Sequence, residues 1–205
     1  MLPSIQRFTD FTQENLRLLI DYVHQNPFDD SVYRVENGNV AQIPEGSYLK
    51  GSSALLLLMK QLTFELSIKE FVPNDIDIIL LNRPWKIVRE GKLEYAHLPF
   101  ESIEQSFLAD ELPICRVAID NQGTYWISVQ CIVSIYANVC YLPEYVKSRE
   151  ELYKRYREYT SHEVALKYAE KIEHRIKKYS DRGFKFIYKP IEWNLGFIRL
   201  STLSK

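Results

Sequence analysis

Residues 73–81, PNDIDIILL, set two aspartates one residue apart inside a run of isoleucines and leucines. Branching at Cβ crowds isoleucine against a helical turn and suits extended backbone, so the run from Asp75 to Leu81 is predicted to be a strand. Side chains alternate along a strand, which puts Asp75 and Asp77 on one face and Ile76 and Ile78 on the other. Such a segment fits a sheet that buries one face in a core and leaves polar groups on the other.

The flanking segments supply the cover. In FTQENLRLLIDYVHQN (11–26) the apolar residues at 16, 19, 20 and 23 and a cap at Thr12 predict an amphipathic helix. SSALLLLMKQLTFEL (52–66) reads as a second, largely buried helix capped by Ser52 or Ser53. FESIEQSFLADEL (100–112) reads as a short third helix. The polar stretch 27–51 has room for a hairpin at Asn37-Gly38, and the region from 82 to about 99 is rich in turn residues. ICRVAID (114–120) and TYWISVQCIVSIY (124–136), joined by Asn121-Gln122-Gly123, read as antiparallel strands.

From Ser148 the pattern changes. Leu152, Tyr156, Tyr159, Val164, Tyr168, Ile172, Ile176 and Tyr179 recur at spacings of three to five, the mark of one or two amphipathic helices. Thr160-Ser161 breaks the segment, Asp181-Arg182-Gly183 ends it, and FKFIYKP offers a final strand. The expected fold is α+β: a small mixed sheet flanked by helices. Residues 1–146 form the core with its N-terminal helix, and 147–205 form a helical, basic C-terminal lobe.

Charge follows the same division. Residues 1–146 hold 11 Lys and Arg against 19 Asp and Glu, whereas 147–205 hold 15 against 8. An acidic, cation-binding head and a basic tail that meets phosphate is one reading; a basic helical face docked on the acidic part of the same molecule is the other. Lys171, Arg175 and Lys178, four and three residues apart, would make one ridge in either case. The interleaved tyrosines of the tail suit unpaired bases, which makes RNA a possible acceptor or partner.

Cys115, Cys131 and Cys140 are odd in number and lack Cys-x-x-Cys spacing, so they read as core thiols of a reducing compartment. The apolar runs Ala54–Met59 and Ile76–Leu81 are too short to cross a bilayer, and no secretory leader pattern is present; a cytoplasmic protein is expected, away from membrane. His24, His97, His162 and His174 are isolated in sequence.

The aspartate pair carries the chemistry. Two carboxylates aligned on a half-buried face repel each other, and a divalent cation removes the penalty. Mg²⁺ commonly takes one or two carboxylates together with substrate phosphates. The bland alternative is the wet face of an ordinary sheet. Upstream, Gly51, Ser52 and Ser53 open a helix, where small residues leave backbone amides uncovered for phosphate; a plain helix cap accounts for most such triplets.

KGSS (50–53) followed by DIDI (75–78) resembles the nucleotidyltransferases of the DNA polymerase beta-like superfamily. The connection between the two elements is long, 21 residues from Ser53 to Asp75. The resemblance implies that Gly51, Ser52 and Ser53, with Lys50 beside them, hold the triphosphate of a nucleoside triphosphate. It implies that Asp75 and Asp77 bind Mg²⁺ or Mn²⁺, and that a third carboxylate lies on a neighbouring strand. The best match for the third is Asp120, which shares a face with Arg116 and Ala118; its other reading is the first residue of the Asp-Asn-Gln-Gly turn. The implied reaction moves a nucleoside monophosphate to a hydroxyl of an acceptor, RNA or protein among them. An inactive member of the same fold acting as a binding module is the alternative.

Other sources of the pair fit less well. Sugar-nucleotide transferases with Asp-x-Asp need a longer nucleotide-binding region ahead of the pair than 74 residues. Phosphate-loop and dinucleotide glycine patterns are missing. Arg157 and His162 match a loose Arg-x(4)-His ribonuclease pattern, but on too short a helical segment.

Overall fold

The computed structural model describes residues 2–62, 71–158 and 160–190. The chain is α+β, with a seven-stranded mixed sheet and a separate two-stranded ladder. Helix α1 (Gln13–Gln25) opens as its sequence predicts, the Thr12 hydroxyl accepting from the amide of Asn15 at 3.2 Å while Leu16, Leu19 and Val23 are buried. Strands β1 (Val32–Val35) and β2 (Ser47–Lys50) follow, then α2 (Gly51–Gln61) and β3 (Ile76–Leu80). Next come β4 (Lys86–Glu90), β5 (Leu93–His97), α3 (Ile103–Phe107), β6 (Val117–Asp120), β7 (Tyr125–Ser128) and α4 (Val129–Ala137). The chain continues through β8 (Val139–Pro143), α5 (Arg149–Arg157), α6 (His162–Asp181) and β9 (Lys185–Lys189).

The large sheet runs β1-β7-β6-β2-β3-β5-β4. Only β3 and β5 pair in parallel within it. Its two faces have different cores. Leu49, Ile119 and Tyr125 belong to the main core with α1, α2, α4 and the buried stripes of α5 and α6. Ile79 and Ala118 belong to a smaller core with Leu98, Phe100, Ile103 and Phe107. The β2–β3 register pairs Leu49 with Ile78 and Lys50 with Asp77, so Lys50, Asp77 and Ile79 share the side of the smaller core. Among the described residues no helix is long and apolar enough to cross a membrane.

Several expectations are corrected. Residues 129–137 form helix α4 rather than the continuation of a strand: the buried Ser128 hydroxyl accepts from the amide of Cys131 at 3.0 Å and starts a turn. A segment buried on all sides has no periodicity to separate helix from strand. Residues 86–97 form a hairpin, hidden in the sequence by the charges of Lys86, Arg89 and Glu90 on an exposed edge strand. Asn37-Gly38 joins no hairpin, because β1 pairs with β7 and β2 pairs with β3 and β6. Helix α3 stops at Phe107, and α2 stops at Gln61, with Leu62 in extended backbone; the remainder of the stretch assigned to that helix, and Tyr159, lie outside the described residues. The C-terminal helices divide at Thr160-Ser161, and the Ser161 hydroxyl accepts from the amide of Val164 at 3.4 Å.

Candidate functional site

The site starts where β2 becomes α2. Lys50 closes the strand opposite Asp77, and Gly51 turns the chain with φ +67°. A Cβ at position 51 would collide with the Asp77 carboxylate, so glycine is needed twice, for its backbone and for the contact. No side chain caps the first turn of α2; the opening amides of a helix have no partner inside it. The turn thus presents amides immediately beside a carboxylate. The Ser53 hydroxyl donates to the carbonyl of Asp75 at 3.1 Å and ties the head of the helix to the entry of β3.

Asp75 and Asp77 both line the resulting cleft, which encloses roughly 390 Å³. Burial pushes the Asp77 carboxyl up to about 6, and the charges of Asp75 and Glu94 push the same way, against Arg175 and Lys178. Glu94 sits directly beside Asp77 in the parallel β3–β5 register, and its Oε2 accepts from Arg89 Nε at 2.6 Å. The cleft therefore gathers more negative charge around Asp77 than that carboxylate easily bears.

The opposite wall is basic. Lys171, His174, Arg175 and Lys178 on α6 line the cleft, so the ridge read from the sequence faces the acidic strands across it. Glu111 also lines the cleft, buried and accepting from Tyr156 Oη at 2.9 Å, with Arg175 Nη1 at 3.8 Å from its Oε2. Lys50 is also buried: its ammonium lies 2.9 Å from Asp110 Oδ2 and donates to the carbonyl and hydroxyl of Ser106 at 3.1 Å each. The Phe107 ring lies 5.4 Å from the same ammonium.

Of the residues singled out in the sequence, Lys50, Gly51, Ser52, Asp75 and Asp77 line one cleft, and Ser53 touches the backbone of Asp75. Asp120 stands apart. It pairs with Tyr48, two residues along the sheet from the Lys50–Asp77 row. Its Oδ1 accepts from the amides of Gln122 at 2.8 Å and Thr124 at 2.9 Å, closing the β6–β7 turn. Among the described residues no group of three His, Cys, Asp or Glu is placed to hold a metal ion. Sequence reasoning missed Glu94, Asp110 and Glu111. Only a strand register or a long-range ion pair assigns them to this cleft, and neither leaves a local signal.

The chain is similar to two solved structures of CCA-adding enzymes. The apo form I is matched at 14% identity and a TM-score of 0.34, over 80% of this chain and 43% of that one. A complex with ATP is matched at 13% identity and a TM-score of 0.36, over 93% and 50% respectively. The chain thus spans about half the length of the structures it matches. No protein-family model and no curated protein matches it.

Proposed function

We propose that the cleft binds a nucleoside triphosphate and directs transfer of its nucleoside monophosphate to an acceptor hydroxyl, with pyrophosphate leaving. The observation that carries this reading is the seat of Gly51 on Asp77. Helix-opening amides attract phosphate and a carboxylate repels it, so one site suits both only when a cation stands between them. Asp75 and Asp77 would hold Mg²⁺ or Mn²⁺; two hard oxygen donors, with water and phosphate filling the remaining positions, suit such an ion. When bound, the metal supplies positive charge to the phosphate oxygens and to the developing charge of the reaction.

The chain's own part is mainly placement. The amides at Ser52 and Ser53 receive the phosphate tail, and Arg175 and Lys178 offset its charge from the opposite wall. Lys50 supports the floor through Asp110 and Ser106 rather than meeting phosphate itself. The acceptor oxygen attacks the α-phosphorus, the bond from that phosphorus to the oxygen bridging the β-phosphate breaks, and the acceptor proton passes to solvent. RNA and protein hydroxyls are the acceptor classes proposed.

The isolation of Asp120 favours a second reading, in which the same cleft binds nucleotide without transferring it. Incubation with α-³²P-labelled nucleoside triphosphates, Mg²⁺, and RNA or protein acceptors separates the two. Label on an acceptor, lost in Asp77→Asn, supports transfer. Nucleotide binding without labelled product leaves the binding module.

A further inference from the structure

Two consecutive acids after α3 each hold one cation of the cleft. Asp110 meets Lys50 at 2.9 Å on the strand side, and Glu111 meets Arg175 at 3.8 Å on the helix side. Glu111 is the more unusual of the two. It is 8% exposed, and the hydroxyl of Tyr156 fixes one of its oxygens at 2.9 Å, leaving the other toward Arg175. Burying a carboxylate is unfavourable unless partners repay the lost hydration, and a neutral residue of similar volume would fill the same space without that penalty. Arg175 keeps a third of its side chain exposed and lines the cleft across from Asp77. An arginine of that kind samples many rotamers unless something behind it restricts them.

We infer that Glu111 is a positioning residue: anchored by Tyr156, it holds the Arg175 guanidinium in the orientation that meets the phosphates of an incoming ligand. The inference rests on the reading of the cleft as a phosphate site and extends it to a carboxylate of the cleft lining that acts through Arg175. It also gives the C-terminal helices a task. Helix α5 supplies Tyr156 and helix α6 supplies Arg175, so their packing against the residues after α3 sets the geometry of the basic wall.

The sign of one substitution tests this. Glu111→Gln keeps the volume and an oxygen for Tyr156 but removes a negative charge near an anion site. If Glu111 acted only through its charge, its loss would tighten anion binding; if it positions Arg175, its loss weakens it. Calorimetric titration with inorganic tripolyphosphate and millimolar Mg²⁺ at low salt reads the difference without nucleotide. We expect Glu111→Gln to weaken binding about three- to tenfold and Arg175→Gln to weaken it further. The double variant should match Arg175→Gln, because Glu111 acts through that side chain, and Glu111→Asp should recover part of the loss. Thermal melts run beside the titrations identify any variant that has lost its fold, and Glu111→Asp provides a second, milder reading in that event. Unchanged or tighter binding in Glu111→Gln, losses that add in the double variant, or no binding by the unaltered protein would each overturn the inference. Coupled losses in a protein that transfers no nucleotide would leave Glu111 as a positioning residue and remove only the transferase reading.

Discussion

At Gly51 one residue satisfies two demands that no other side chain meets together. A left-handed φ of +67° costs an L-residue roughly 1–2 kcal/mol, and a Cβ there would also displace Asp77. Gly51→Ala should therefore lower stability by about 2–3 kcal/mol in urea titration; a loss under about 0.5 kcal/mol would contradict the contact. Asp77 gives a prediction in pH. Its carboxyl is raised from 3.8 to about 6, so the folded protein holds that proton more tightly than the unfolded chain. The associated stability is fully present below pH 4 and is lost as pH rises through 6. In metal-free buffer Asp77→Asn should be more stable than the parent at pH 7.5, by about 1–2 kcal/mol, with no advantage at pH 4. An equal difference at both pH values would show that repulsion in the cleft is not the cause. Asp75, Asp77 and Gly51 were legible because alternation and small-residue turns are local rules. Glu94 was not, since it becomes Asp77's neighbour only through a parallel pairing between separate segments.

At the scale of elements, segments with one wet face were readable and segments buried all round were not. Helix α1 shows its stripe and its cap, and α6 shows both stripe and break. Helix α4 buries all but its last two residues, so the same apolar run passes for a strand until its cap is seen. Ser128→Ala removes that cap from a buried helix start and should cost about 1 kcal/mol, lowering the melting temperature by roughly 2–4 °C. No shift would mean that packing alone sets the start of α4. The β4–β5 hairpin failed for the opposite reason: every residue of β4 except Val88 is exposed, and its charges suit an edge rather than showing an apolar face.

Across the whole molecule the uneven charge resolves into a wall-to-wall arrangement. The basic ridge of α6 and the acidic strands around Asp77 face one another over the same cleft. The two sequence readings of that ridge, phosphate binding and docking on the acidic part, are therefore not exclusive. Arg175 pairs with buried Glu111, yet a third of its side chain remains open to the cleft. Composition revealed the opposing charges, but their convergence depends on α6 returning across the strands, which no local pattern encodes. The unfavourable charge lies on the acidic wall around Asp77, and the metal-bound triphosphate proposed above would bring a cation to that wall and phosphate to the basic one.

Thermal melts test that claim directly. A ligand that binds only the folded state raises the melting temperature, and by more the further its free concentration exceeds its Kd. With millimolar Mn²⁺ and a non-hydrolysable nucleoside triphosphate together, the parent protein should melt several degrees higher than with either alone. The Asp75→Asn, Asp77→Asn variant, folded and more stable without ligand, should lose that joint increment. Identical increments in the two proteins, or none in the parent, would contradict a metal-nucleotide site at the Gly51–Asp77 junction.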